Sequence, residues 1–174
     1  MKKIFAIVGL FALVVLLIWQ QKPQETLQNL PTLPSFVLAD VVTLEIKQQA
    51  GSLQADYDGQ TWTLVGDKHK QLKEAVVGQL LLDLQTMKPQ RVASTKAEYV
   101  HRFAVADSDV RVTLSDNKGA KLLDMIIGKP ATDLRSTYIR LFGQDTVLTV
   151  NKILTWQVKR TPGAWLVEEE KAEK

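Results

Sequence analysis

The chain has 174 residues, no cysteine, 22 Lys and Arg against 19 Asp and Glu, and a net charge of +3. That length suits one domain with a sizeable core, and the lack of cysteine removes disulfide staples and thiolate metal sites. The cationic surplus is too small for a nucleic-acid-binding stripe, so no nucleic-acid partner is expected.

Met1, Lys2 and Lys3 precede an unbroken apolar run from Ile4 to Trp19. As a helix this run measures roughly 24 Å at about 1.5 Å per residue; lysines can snorkel at one end and Trp19 suits the interface at the other. No small-residue cleavage site follows in Leu17-Ile18-Trp19-Gln20-Gln21-Lys22, so residues 1–21 are expected to be an uncleaved signal anchor. The positive-inside tendency keeps Lys2 and Lys3 cytoplasmic. The expected location is therefore the inner (cytoplasmic) membrane, single-pass, with a C-terminal domain in the periplasm. Residues 22–37 carry Pro23, Pro31 and Pro34 among glutamines and read as a semi-rigid stalk.

The domain is expected over residues 38–167. Val42, Leu44 and Ile46 alternate with polar neighbours as a half-buried strand does. Leu53, Ala55 and Tyr57 give a second strand, Asp58-Gly59 a hairpin turn, and Thr61 to Val65 a third strand. The period then changes. Leu72, Val76, Leu80, Leu84 and Met87 recur at helical spacing, widened by Val77 and Leu81, which predicts a helix over about 69–87 that Asp67 would cap and Pro89 would end. Arg91-Val92 is a short strand, and a polar stretch with Tyr99 follows.

Val110, Val112 and Leu114 begin a second strand-rich region. Asp116-Asn117-Lys118-Gly119 turns the chain into Leu122 to Ile127, which is apolar on both faces apart from Asp124 and reads as a central strand. Ser136 to Leu141 and Thr146 to Val150 are two further strands, and Asn151 is placed to cap a short helix through Val158. A last short strand at Trp165 to Val167 could close a sheet edge. Residues 168–174 are expected to be a disordered charged tail. The expected fold class is α+β, a mostly antiparallel sheet in two meander-plus-helix units, preceded by one transmembrane helix.

These residues carry a family resemblance. Val41, Leu44 and Ile46, then Asp58-Gly59 with Trp62 and Leu64, a helix with Leu80, Leu81 and Leu84, and Arg91-Val92 form its first part. Val110 to Asp116, Asn117-Lys118-Gly119, Ile126-Ile127-Gly128-Lys129 and Thr137 to Leu141 complete it. In order and spacing they resemble the DUF4340 family, a bacterial domain of unknown function, from Val41 to Trp165. The resemblance implies an envelope protein with an N-terminal membrane segment, and an accessory role beside proteins similar to gliding-motility-type ABC transporter auxiliary subunits. It implies no catalytic residue set.

Catalytic motifs fare poorly on their own terms. Ser115-Asp116-Asn117-Lys118 contains S-x-x-K and S-D-N strings, but both overlap at a strand end instead of opening a helix. Gly128-Lys129 lacks the spacing of a phosphate-binding loop, and Pro130 stands where a hydroxyl is needed. His69 and His101 are far apart in sequence, and Asp107-Ser108-Asp109 lacks the glycine and distal glutamate of a calcium loop. No cofactor, metal or catalytic residue is therefore assigned. Trp62, Tyr99 and Tyr138 are expected to pack in or beside strands, while Trp156 and Trp165 stay open. Arg111, Arg135 and Arg140 form the candidate partner-contact patch, since Arg111 and Arg140 occupy polar positions of their strands. The expected function is a membrane-anchored, non-enzymatic accessory or scaffold protein that contacts an unidentified envelope protein. The alternatives are a module binding cell-wall glycan or lipid, and a hydrolase whose carboxylates converge only in the fold.

Overall fold

The computed structural model of the chain describes residues 30–49 and 51–168. Nine strands form one antiparallel sheet: β1 (Thr43–Gln48), β2 (Gly51–Tyr57), β3 (Trp62–Leu64), β4 (Asp67–Gln71), β5 (Pro89–Ser94), β6 (Arg111–Ser115), β7 (Lys121–Pro130), β8 (Thr137–Leu141) and β9 (Val147–Val150). Their spatial order is β4-β3-β2-β1-β6-β7-β8-β9-β5. Helix α1 (Glu74–Thr86) and the short α2 (Thr155–Val158) and α3 (Pro162–Trp165) complete the regular elements, with 3-10 turns at Leu38–Asp40 and Ala97–Phe103.

The expected division into two meander-plus-helix units is corrected by this topology. β1 pairs with β2 on one side and with β6 on the other, placing Leu44 opposite Leu114 and Ile46 opposite Val112. Separate units would leave the facing edges of β1 and β6 with unpaired backbone groups, and fusing them satisfies both edges at once. The result is a single sheet with few and short helices. Among the described residues no helix is long and apolar enough to cross a membrane. The signal anchor expected over residues 1–21 lies outside the described residues, as does most of the charged tail.

One face of the sheet carries the main core. Leu44, Ile46, Val112, Leu114, Leu123, Met125, Ile127, Ile139, Leu148 and Val150 point into it, against Val77, Leu80, Leu81 and Leu84 of α1. Each such side chain contributes about 1.5–3 kcal/mol when fully buried. Phe36 is buried in the same core and Leu33 packs on it, and the Phe36 carbonyl accepts a hydrogen bond from Gln85 Nε2 of α1 at 3.2 Å. The C-terminal part of the segment read as a stalk thus lies against the domain.

The helix expected from residue 69 begins at Glu74, because Asp67–Gln71 is strand β4. Val65-Gly66 turns the chain there, with φ +92° at Gly66, and Leu72 donates its N–H to the Trp62 carbonyl and bridges Leu166. Leu72 is buried by that pairing, so its fit to the helical stripe is a coincidence of spacing. Asp67 accordingly caps no helix; its carboxylate meets Lys70 instead. At the other end of the chain Asn151 does not cap α2, whose N-cap is Leu154; Asn151 Oδ1 accepts the N–H of Lys88 at 2.7 Å. The last strand expected at Trp165 to Val167 is reduced to the Leu72–Leu166 bridge following α3.

Candidate functional site on the outer face of the sheet

Alternation along β7 sends Ile126 to the face opposite Met125 and Ile127. There it joins a second, smaller cluster with Val105, Ala131, Tyr138 and Val147, packed by Ala93, Val100 and Phe103. The segment from Ala97 to Val105 therefore lies as a cap over the β7–β8–β9–β5 half of this outer face. Phe103 packs against Tyr138 with ring centroids 4.8 Å apart and ring planes tilted by 52°. Gly128 of β7 makes the close approach possible: a Cβ there would lie 2.6 Å from Val105 Cγ1 and would collide with the Phe103 carbonyl oxygen. Ala104, with φ 56°, ends the 3-10 turn and releases the cap toward β6.

Arg140 is sealed beneath this cap, at 6 % exposure. Its Nε donates to the Val105 carbonyl at 2.7 Å and Nη1 to the Gln144 carbonyl at 2.8 Å, while Nη2 bonds Asp107 Oδ1. A buried guanidinium needs such complete pairing.

Among the described residues, none covers the β1–β2–β6 half of the same face. Lys47, Gln54 and Asp56 are exposed and Glu45 half-buried. Arg111 lies between the halves, opposite Ile126, which in turn faces Arg140. Its Nε and Nη2 make a bidentate pair with Asp124 at 2.7 and 2.6 Å, and Lys121 Nζ reaches the same carboxylate at 2.8 Å. The guanidinium carbon of Arg111 sits 3.2 Å from the ring centroid of Phe142, a cation–π contact. Burial pushes the Asp124 carboxyl up, but the bonds from Arg111 and Lys121 outweigh it and hold the group below its ordinary range.

Of the three arginines expected to form one patch, Arg111 and Arg140 share a face in one register row, the first partly exposed and the second enclosed. Arg135 is elsewhere, exposed in the β7–β8 turn, where its N–H and that of Ser136 bond Asp133 Oδ1 at 3.0 Å. Two features went unnoticed in the sequence. Phe142, the partner of Arg111, has no local signal. Asp83 is the other: it accepts bonds from Lys152 Nζ at 2.8 Å, Gln79 at 2.9 Å and Gln157 at 2.8 Å, tying α1 to α2. Burial pushes the Asp83 carboxyl up, and those three bonds more than compensate, holding it low.

Residues weighed for catalysis have structural partners here. Asp116 Oδ1 accepts the N–H groups of Lys118 and Ala120 at 2.8 Å, organising the β6–β7 turn. Asp109 Oδ2 accepts the N–H of Ala106 at 2.7 Å. His69 lies on edge strand β4 and His101 in the cap. Among the described residues no three His, Asp or Glu side chains group to hold a metal ion. One groove, of about 380 Å³, runs between His69–Gln71 and Leu166–Glu168. A second, of about 340 Å³, lies between Leu30–Ser35 and Leu84, Gln85, Met87 and Pro89. Neither is lined by Phe, Tyr or Trp.

Comparison with known proteins adds one positive finding. The model of the DUF4340 family, a domain of unknown function, matches residues 62–170. No curated protein and no solved structure matches the chain. The matched span runs from β3 through α3 and covers more than half of the chain; β1 and β2 precede it, although β1 is bonded directly to β6 inside it. With more than half of its residues matched, the chain is a member of the DUF4340 family.

Proposed function

We propose that the protein is a membrane-tethered accessory or scaffold component of an envelope complex, acting through protein contacts made by the open half of its outer sheet face. The apolar run from Ile4 to Trp19, flanked by Lys2 and Lys3, supports the tether and the periplasmic placement of the domain. The family resemblance suggests the specific form of the role, an accessory beside an ABC transporter. The observation that carries the contact surface is Arg111 stacked on Phe142, itself 39 % exposed, at the border of an uncovered polar sheet face. Arg and aromatic side chains are enriched at the energetic centres of protein interfaces. Here Asp124 holds the guanidinium in place before any partner arrives, which lowers the ordering cost of association. Glycan recognition, by contrast, would call for an aromatic-lined groove.

The test is a detergent-solubilised pull-down of the full-length chain, with a Glu45→Arg and Gln54→Arg double variant beside it. A specific protein should co-purify with the wild type and be lost, roughly tenfold or more, from the variant, whose circular dichroism stays unchanged. Equal recovery by both forms would remove the open face from the account.

A further inference from the structure

Pro89, Val150, Thr137 and Pro130 lie opposite one another across β5, β9, β8 and β7, so the ends of these strands make one rim of the sheet. Three pieces of chain meet there. Leu30–Ser35 arrives beside Met87 and Pro89. The β7–β8 turn projects from Pro130 and Thr137. The lead into α2 is fastened by Thr137, whose Oγ1 donates to the Lys152 carbonyl at 2.7 Å and accepts the Leu154 N–H at 2.9 Å.

This rim presents Leu134 at 73 %, Trp156 at 71 % and Ile153 at 43 % exposure. Around them Lys88, Lys129 and Arg135 are exposed. One exposed carboxylate, Asp133, lies among them and is held ionised by the backbone and hydroxyl of Ser136, which leaves three cations against one anion; Asp83 is paired with Lys152. Leu134 also has φ 56°, a left-handed conformation that disfavours a leucine. Its side chain lies open to solvent, so folding gives no reason for a leucine there. The far rim differs. Its turns are Asp58-Gly59, Asp116-Asn117-Lys118-Gly119 and Gly143-Gln144-Asp145, and its large apolar group Phe142 is stacked on Arg111.

We infer that the rim bearing Leu134, Ile153 and Trp156 rests on the bilayer that takes up the apolar N-terminal run, with Lys88, Lys129 and Arg135 facing anionic lipid headgroups. The inference rests on the tether reading above. Only residues 20–29 separate Trp19 from Leu30, at most about 40 Å of extended chain, and Leu30 lies on this rim. Tryptophan and aliphatic side chains suit the interface, and basic ones the negative surface.

Because the chain lacks cysteine, single cysteines can report on each rim of the full-length protein. Leu134→Cys and Trp156→Cys, with Asn117→Cys on the far rim, would carry an NBD fluorophore in vesicles of phosphatidylethanolamine and phosphatidylglycerol or of phosphatidylcholine alone. Labels at 134 and 156 should shift to the blue and be quenched by spin-labelled lipid, several-fold more strongly with phosphatidylglycerol, while the label at 117 behaves as in water. Unquenched labels at 134 and 156 on a chain that resists alkaline carbonate would overturn the rim contact and leave the tether standing. Release of the chain by carbonate together with unquenched labels would overturn both. A blue shift without lipid quenching would mark a protein as occupant and likewise overturn the inference.

Discussion

Arg111 and Arg140 stand two strands apart in one row of one sheet face, yet they live in different media. Arg140 is enclosed by the cap from Ala97 to Val105 and bonded to two carbonyls and Asp107. Arg111 lies at the open border, held by Asp124 and stacked on Phe142. The difference is made by a covering segment contributed from outside the strands. Where it lies, polar strand positions become interior; where it ends, they stay available to a partner.

The most damaging way to break the comparison is to lift the cap. Gly128→Val inserts a branched side chain where Phe103 and Val105 touch the strand, and overpacking of this kind against backbone should cost about 3 kcal/mol or more. Urea denaturation should show a lowered midpoint, with loss of near-ultraviolet signal from the Phe103–Tyr138 contact.

The two arginines then separate by effect. Arg140→Met leaves the buried Val105 carbonyl without its donor, and the Gln144 carbonyl and Asp107 without theirs, and should cost about 2–4 kcal/mol. Arg111→Met removes the bidentate partner of Asp124 in a pair whose side chains are only 19 % and 16 % exposed, but it leaves Lys121 on the same carboxylate, and should cost about 1–2 kcal/mol. Equal losses in chemical denaturation would erase the distinction between covered and open halves.

A smaller effect is expected in acid. Asp83 and Asp124 are held below the ordinary carboxylate range by their partners. A carboxyl with a depressed folded pKa adds stability that is present above its unfolded value of about 3.9 and lost as pH falls through the folded value. Stability should therefore be level from neutral pH to about pH 5 and decline below about pH 4. Asp83→Asn should flatten part of that decline, measured by urea midpoints across the same range.

Much of the strand pattern was legible, since alternation in β1, β2 and β6 and the turns at Asp58-Gly59 and Asp116 to Gly119 are local signals. Long-range pairing was not. Nothing in Val42 to Lys47 states that β1 joins β6, which is why the sheet reads as two units until the register is known. Leu72 fits a helical stripe and a bridged edge equally well, and pairing with Trp62 and Leu166 decided for the edge. At the candidate site, alternation marks Arg111 and Arg140 alike as outward-facing. Only Tyr99, Val100 and Phe103 in the intervening segment hint at a cover. The turn at Asp133 went unread, although aspartate commonly bonds to the following backbone in such turns.

The contrast between the two halves is tested most directly by site-specific photo-cross-linking in cells, with a benzophenone residue at Glu45 or Gln54 on the open half and at Arg102 on the outside of the cap. A discrete cross-linked protein band at positions 45 and 54, absent at 102, is the predicted result. The same band at all three positions, or at 102 alone, would contradict the assignment of the open half as the contact surface.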